Sequence, residues 1–215
     1  MRGDILIINE NHRKDAHQIV DLIIDKIKSK KGKYIISVAG ESGAGKSEIA
    51  ASIAEVLTEK NISSFIFQQD DYFVYPPKTN AKMRIINISH VGMSEVKLDL
   101  IDEELKTILG GNNKIEKPLV IFEEDRIDKE TVNLENIKVI IVEGTYVTAL
   151  KNIDQRVFID RDLNDTRELR KKRNREKQDE FLEAILLIEN KIIAPQKSLA
   201  DIIITKDYDA ESANS

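Results

Sequence analysis

The chain has 215 residues, enough for one well-buried α/β domain with a small appendage and too few for two full domains. Its content of 41% hydrophobic and 33% charged residues is that of a soluble globular protein and excludes the disordered and fibrous classes. The net charge of −5 disfavours a general nucleic-acid binder, and the lack of cysteine excludes disulfides, thiolate metal sites and cysteine nucleophiles.

The start of the chain carries charges and no long apolar core, so we expect no signal peptide, and no run approaches the roughly 18 apolar residues of a membrane span. We therefore expect a cytoplasmic protein that has neither a membrane nor a nucleic acid as partner. A short strand is predicted over Asp4 to Ile8 and an amphipathic helix over His12 to Lys30. This leader, residues 1–33, either packs against the domain or binds a partner protein, and a homo-oligomer is compatible with the sequence.

A phosphate-binding pattern follows. The run Gly40 to Ser47, GESGAGKS, matches G-x-x-x-x-G-K-[ST] and lies between a predicted strand, Tyr34 to Ala39, and a predicted helix, Ser47 to Lys60. Such a loop turns successive backbone N–H groups toward phosphate oxygens, and the positive end of the helix dipole faces the same place. The lysine is expected to reach the β and γ phosphates, and the serine hydroxyl to hold Mg²⁺. The residues expected to bind the nucleotide are Gly40, Ser42, Gly43, Ala44, Gly45, Lys46, Ser47 and Glu48. The alternative is a glycine turn with an incidental lysine.

Two acidic residues follow the next predicted strand, Ser64 to Phe67. In doubly wound sheets the ligand crevice lies at the carboxyl ends of the strands, so Asp70 and Asp71 are expected beside the phosphate-binding loop. Either is a candidate to accept the proton of an acceptor hydroxyl, and either is alternatively a solvated turn residue.

The segment after these acids, residues 71–134, is expected to bind the substrate. It begins with a loop or flap, Val74 to Ser89, in which Pro76-Pro77 argues against regular structure. A helix from Ser94 to Leu109 and a two-stranded excursion over Lys114 to Leu134 complete it.

Three further apolar runs are predicted as strands, namely Val139 to Val142, Val157 to Ile159, and Ile202 to Ile204. With the two earlier runs they predict a five-stranded parallel sheet covered on both faces by helices, a three-layer α/β/α fold. The first of them delivers Glu143-Gly144 to its carboxyl end. The glutamate is expected to bind Mg²⁺ through water and the glycine to leave room for substrate, the alternative for the glutamate being a helix cap or an ion pair.

A strongly charged helix is predicted from Asn164 to Lys177, followed by a second helix from Phe181 to Ile193. A mobile helix of this kind, closing over a nucleotide, brings guanidinium groups to the transferring phosphoryl group, and the candidates are Arg170, Arg173 and Arg175. The alternative is a solvated charged face. The polar tail after Asp207 is expected to fray. The isolated histidines His12, His17 and His90 lack the spacing of metal ligands, and we expect neither a metal-binding nor a catalytic role for His12 or His17.

Five motifs, in this order, resemble the uridine kinase and phosphoribulokinase group of P-loop kinases: GESGAGKS, QQDDYF, VIIVEGTY, FIDRDLNDTRELRKKRNR and APQKSLADIIITKD. The resemblance runs from Tyr34 to Asp207. It implies a single P-loop kinase domain over residues 1–215 with ATP and Mg²⁺ as cofactors and a lid and following helix over residues 161–195. It places the catalytic aspartate on Asp70, with Lys46 and the lid arginines acting on the phosphoryl group, and the magnesium-associated carboxylate on Glu143.

The likeness is weaker in the part of the chain that selects the substrate. Asn87-Ile88-Ser89-His90-Val91 keeps only the Asn and His of the family's Asn-x-Asp-His-Pro, and Pro118 to Phe122 has Val where the family has Tyr. The acceptor-binding residues that the resemblance implies are Asp70, Tyr72, His90 and Arg126.

Three functions follow from these residues. The first is a kinase for the hydroxyl of a small molecule, with a nucleoside as the first candidate. The second is a kinase for another acceptor, such as a sugar, a sugar phosphate, a pantothenate-like alcohol or, in a toxin-like kinase, a nucleotide sugar. The third is a nucleotide-dependent regulator that uses the leader helix to bind a partner and transfers no phosphoryl group.

Overall fold

The computed structural model describes residues 6–167, 170 and 179–213. Its helices are α1 (Glu10–Ser29), α2 (Lys46–Glu59), α3 (Pro77–Ile86), α4 (Leu98–Leu109) and α5 (Glu180–Ile193). Its strands are β1 (Tyr34–Gly40), β2 (Ser64–Gln68), β3 (Lys114–Ile121), β4 (Arg126–Asn133), β5 (Val139–Glu143), β6 (Gln155–Ile159), β7 (Ile202–Ile204) and β8 (Ala210–Ser212).

The main sheet has the strand order β2-β5-β1-β6-β7-β8, and every pairing from β2 to β7 is parallel. Every residue of β1 and of β5 is buried, as expected of strands covered on both faces. Residues of α1 and α2 fill one core against the sheet, and residues of α4 and of the β3–β4 hairpin fill the other. The three-layer α/β/α fold with five parallel strands is therefore confirmed.

The leader helix α1 packs on this fold through its apolar face. That face is fully buried and consists of Ala16, Ile19, Val20, Ile23 and Ile27. The side chain of Asn9 caps the helix, accepting from the backbone N–H of His12 at 3.1 Å. The predicted strand over Asp4 to Ile8 is wrong in its described part, since residues 6–8 have no regular structure.

Three other segments differ from the sequence-based expectation. The expected loop over Val74 to Ser89 contains α3, because Pro77 occupies the first position of the helix, where its fixed φ is favourable and its missing N–H costs nothing. The predicted helix from Ser94 starts at Leu98 instead, because a 3₁₀ turn precedes it. The tail does not fray completely, because β8 adds an antiparallel edge strand to β7.

The remaining predictions concern the hairpin and the lid. The two-stranded excursion is confirmed as the antiparallel pair of β3 and β4. At the lid, Arg167 and Arg170 are helical, while Arg173 and Arg175 lie outside the described residues. Over residues 6–167, 170 and 179–213, no helix is both long enough and apolar enough to cross a membrane.

Candidate active site

The loop between β1 and α2 has the backbone of a phosphate cradle. Gly43 and Gly45 take positive φ angles of 80° and 98°, which glycine adopts without strain. Gly45 is the N-cap of α2, so the helix begins at Lys46, and the first N–H groups of a helix have no partner within it. These N–H groups and the helix dipole together form an anion site. Glu48 is buried in this first turn, so we expect its backbone N–H rather than its carboxylate to face a phosphate.

Lys46 and Ser47 lie at the mouth of this cradle. The ammonium group of Lys46 donates to the backbone carbonyl of Glu41 at 2.9 Å, which folds the side chain back over the loop. The hydroxyl of Ser47 donates to Oε1 of Glu143 at 3.2 Å. Because β5 is the parallel neighbour of β1, with Glu143 in register with Val38, the end of β5 lies beside the phosphate-binding loop.

Asp70 completes the cluster from the other side. Strand β2 pairs with β5, with Gln68 in register with Glu143, and the chain then enters a 3₁₀ turn that contains the half-buried Asp70. Burial raises the pKa of Asp70, and the positive charges of Lys46 and, more weakly, Arg84 oppose that rise. Burial also raises the pKa of Glu143, and the negative charge of Asp70 raises it further. Two carboxyl groups that repel each other beside a lysine form a site that favours added positive charge.

Asp71, unlike Asp70, has a structural role. Its carboxylate is buried, accepts from Nζ of Lys117 at 2.8 Å and accepts from the backbone N–H of Val120 at 2.9 Å. Both partners belong to β3, so Asp71 fastens the end of β2 to the hairpin. Because Asp71 is held by the hairpin, Asp70 is the better candidate of the two for the proton acceptor.

Gly144, the residue after Glu143, lies in close contact with Gln69. A Cβ on Gly144 would lie 2.3 Å from Cβ of Gln69. The side-chain oxygen of Gln69 accepts from the backbone N–H of Tyr146 at 2.7 Å, so the ends of β2 and β5 are tied together at this point. The space beside Gly144 that was expected to hold substrate is occupied by the side chain of Gln69.

Arg170 lies over the phosphate-binding loop. A Cβ on Gly43 would come within 2.7 Å of Cγ of Arg170, and the guanidinium donates to the carbonyl of Leu163 at 2.8 Å and to the hydroxyl of Thr166. The segment that was predicted to begin a lid is thus packed against the phosphate-binding loop at Arg170. Arg170 is therefore the lid arginine that the described residues bring to the site.

We expect Gly43→Ala to weaken nucleotide binding about tenfold, because the new methyl group meets Arg170 and the residue must hold a left-handed φ. The KM for ATP measures this effect. The matched control is Gly32→Ala, which also has a positive φ, 83°, but has open space around a new Cβ. An equal change in both variants would show that general destabilisation, and not the contact with Arg170, is responsible.

Three residues expected to bind the acceptor lie in different surroundings. Tyr72 is fully buried and its hydroxyl donates to Glu104 on α4, so the ring belongs to the core and not to the cleft. His90 shares a hydrogen bond of 3.0 Å with the side-chain oxygen of Asn80 and lies beside the ring of Tyr75. Arg126 is exposed at the start of β4, where it pairs with Asp128 and Glu124. Of these three, His90 alone adjoins the groups that lead to the cleft.

A buried ionic cluster next to His90 was missed by the sequence analysis. Arg84 of α3 makes a two-pronged contact with the fully buried Glu95, with distances of 2.6 and 2.7 Å, and its Nη2 also reaches Glu189 of α5 at 3.2 Å. The positive charge of Arg84 also opposes the rise in the pKa of Asp70. The sequence did not indicate a role for Arg84, because the segment that forms α3 was interpreted as a loop.

Helix α5 contacts both α3 and the phosphate-binding loop. Glu189 contacts Arg84 of α3, and the next residue, Asn190, donates from its side chain to the carboxylate of Glu41 in the phosphate-binding loop. Two adjacent residues of one helix thus touch Arg84 of α3 and Glu41 of the phosphate-binding loop.

The site can hold Mg²⁺ in the manner that this ion prefers. Magnesium is usually bound by one or two protein oxygens together with waters and substrate phosphates. The hydroxyl of Ser47 and the buried carboxylate of Glu143 supply such oxygens. The described residues contain no group of three or more His, Cys, Asp or Glu side chains arranged to hold a metal by themselves.

A phosphate cradle at the end of the first parallel strand, with carboxylates on the two neighbouring strand ends, defines a P-loop phosphotransferase. Residues 35–211 match the model of the phosphoribulokinase / uridine kinase family. The chain belongs to this family, and it is a kinase that acts on a hydroxyl group.

The chain is similar to several known proteins. It is 32% identical over 184 residues to a uridine kinase from Clostridium novyi, a match that covers 79% of this chain and 86% of the relative. It is 25% identical over 189 residues to a bifunctional alpha-galactosidase/sucrose kinase from Mediterraneibacter gnavus, a match that covers 81% of this chain and only 20% of that much longer protein. The solved structure of a possible uridine kinase from Bacillus stearothermophilus has a TM-score of 0.60 at 22% identity, covering 86% of this chain and 96% of that one.

Proposed function

We propose that the protein transfers the γ-phosphoryl group of ATP to a hydroxyl of a small molecule, with a nucleoside as the first candidate acceptor. The observation that supports this most is the position of Asp70, which lies at the end of β2 within electrostatic reach of Lys46 and Glu143. A kinase needs a base for the acceptor hydroxyl at such a position, opposite the phosphate cradle.

In this proposal each residue of the cluster has one task. Asp70 accepts the proton of the acceptor hydroxyl as the oxygen attacks phosphorus, and its raised pKa makes it a stronger proton acceptor than an exposed aspartate. Lys46 leaves the carbonyl of Glu41 to contact the phosphates, and Arg170 lies where it can stabilise charge on the moving group. Ser47 and Glu143 would hold Mg²⁺, which neutralises phosphate charge when bound.

The nucleoside is proposed as acceptor because the uridine kinase relatives match at about 30% identity over most of their length. A sugar is the second candidate. Two observations favour it: Val120 stands where the family's hairpin has tyrosine, and a relative carries a sucrose kinase in its name. In both cases the acceptor is expected between Asp70 and the cluster of Arg84, Glu95 and His90.

A coupled ADP-release assay tests the proposal directly. The purified protein is given MgATP and, in turn, nucleosides, neutral sugars, sugar phosphates and pantothenate-like alcohols. Turnover that depends on uridine or another nucleoside supports the nucleoside, and turnover that depends on a sugar supports the second candidate. Nucleotide binding without acceptor-dependent turnover in any class would overturn the proposal and favour a nucleotide-dependent regulator.

A further inference from the structure

The first turn of α1 touches the phosphate-binding loop, although α1 lies outside the residues that match the family model. The backbone N–H of Asn9 donates to Nδ1 of His12 at 3.3 Å. Since Nδ1 accepts, the hydrogen of the neutral ring lies on Nε2. A Cβ on Gly45 would come within 3.3 Å of this Nε2, so the N–H edge of the imidazole lies against Gly45.

Gly45 is a residue whose position affects the whole cradle. It is the N-cap of α2, it holds a left-handed φ of 98°, and no side chain caps the helix at this point. Such a residue loses more conformational freedom on folding than any other type, so an external contact that restricts it has a large effect on the N–H groups beside it. The imidazole of the buried His12 supplies that contact from a separate helix.

The contact lies on the donor side of the site. If the γ phosphate is directed toward Asp70 at the end of β2, the nucleoside must extend the other way, over the ends of β6 and β7. Arg161 follows β6 and Tyr208 follows β7, and the guanidinium carbon of Arg161 lies 3.4 Å from the centre of the Tyr208 ring. The ring of His12 lies 6.4 Å from the same tyrosine. His12 therefore occupies the corner between the phosphate cradle and the nucleoside end.

A second polar residue of α1 lies within electrostatic reach of Arg161. Asp15 is fully buried, and within the described part of the chain neither of its carboxylate oxygens has a hydrogen-bond partner. Burial raises its pKa to about 7, while the positive charge of Arg161 opposes the rise. A helix that served only as packing would place apolar groups at these positions.

We propose that His12 is a positioning residue of the donor site, which holds Gly45 and thereby aligns the phosphate-binding N–H groups of the loop. The leader helix is then part of the catalytic unit. This inference rests on the proposed function, since it assumes that the loop binds the donor nucleotide.

Three substitutions of His12 test the contact between the Nε2 edge of its ring and Gly45. His12→Gln keeps an N–H donor at about the reach of Nε2, His12→Asn keeps a polar group near Nδ1 but falls short of Gly45, and His12→Ala removes both. His17→Gln is the matched control, because His17 is exposed on the same helix. The measurements are the affinity for a fluorescent ATP analogue with Mg²⁺, the KM values for ATP and for the acceptor, and the thermal unfolding midpoint.

We expect His12→Asn and His12→Ala to weaken nucleotide affinity and raise the KM for ATP about tenfold, while the KM for the acceptor stays unchanged. His12→Gln and His17→Gln should remain near the wild type. Unaltered nucleotide affinity in His12→Asn, or equal increases in both KM values, would overturn the inference. If the wild type itself bound no nucleotide, the proposed function would fail as well, so the two failures are distinguishable.

Discussion

Replacing Asp70 with asparagine is expected to lower kcat about a thousandfold, because a positioned general base contributes on the order of 10² to 10⁴ to such a reaction. Asparagine keeps the size of the side chain and cannot accept the hydroxyl proton. The KM for ATP should change little, since the phosphates are bound by the loop and not by Asp70. Steady-state kinetics with the acceptor found in the ADP-release assay measure both constants.

The pH profile of the wild-type protein provides the control for this prediction. Burial raises the pKa of Asp70, and the base must be deprotonated to act. Activity should therefore be present above that raised pKa and fall as the pH drops through it. If Asp70→Asn kept its turnover, Asp70 would not be the base. A fall in activity at low pH that remained in this variant would be assigned to Glu143, whose pKa burial raises to about 7.

Asp71→Asn, one residue further on, should act on stability and not on chemistry. We expect the free energy of unfolding to fall by about 3 kcal/mol, the lower end of the range for breaking one side of a buried ion pair. Lys117 would lose its buried partner but keep Glu130 at 3.0 Å, and the new amide oxygen would still accept from Val120. Denaturant unfolding measures the change, and the kcat of the folded fraction should stay near that of the wild type.

The hairpin offers a matched control for this second prediction. Glu116 pairs with Lys129 at 2.6 Å, but both side chains are well exposed, so Glu116→Gln should change stability by less than about 0.5 kcal/mol. Similar losses in the two variants would show that burial of the Asp71–Lys117 pair is unimportant. A large loss of kcat in folded Asp71→Asn would move the chemistry to Asp71.

The sequence was sufficient for the parts of the fold in which one local pattern decides the outcome. Continuous apolar runs identified the five parallel strands, and the glycine and lysine spacing identified the cradle between β1 and α2. The predictions went wrong where a residue type serves two purposes. Pro77 was interpreted as a helix breaker but begins α3, and the polar tail forms β8 because it finds an edge strand and the side chain of Gln18, which accepts from Ala210.

The candidate site was predictable only in its donor half. Lys46, Ser47 and Glu143 follow from motifs at strand ends, whereas the distinction between Asp70 and Asp71 depends on Lys117, 46 residues further along the chain. Tyr72 differs from the expectation for a similar reason, because its partner Glu104 lies on α4. Contacts of this kind arise from tertiary packing, so they cannot be predicted from the spacing of residues within a short motif.

The adjacent pair Glu189 and Asn190 on α5 has a thermodynamic consequence. One helix contacts Arg84, near the proposed acceptor position, and Glu41 of the phosphate-binding loop, and it follows the segment that was predicted to form a lid. A shift of α5 on binding one substrate would then change the free energy of binding the other, and such linkage is reciprocal. We expect the nucleotide to change the affinity for the acceptor by the same factor as the acceptor changes the affinity for the nucleotide, and titrations of each ligand in the presence and absence of the other measure the two factors.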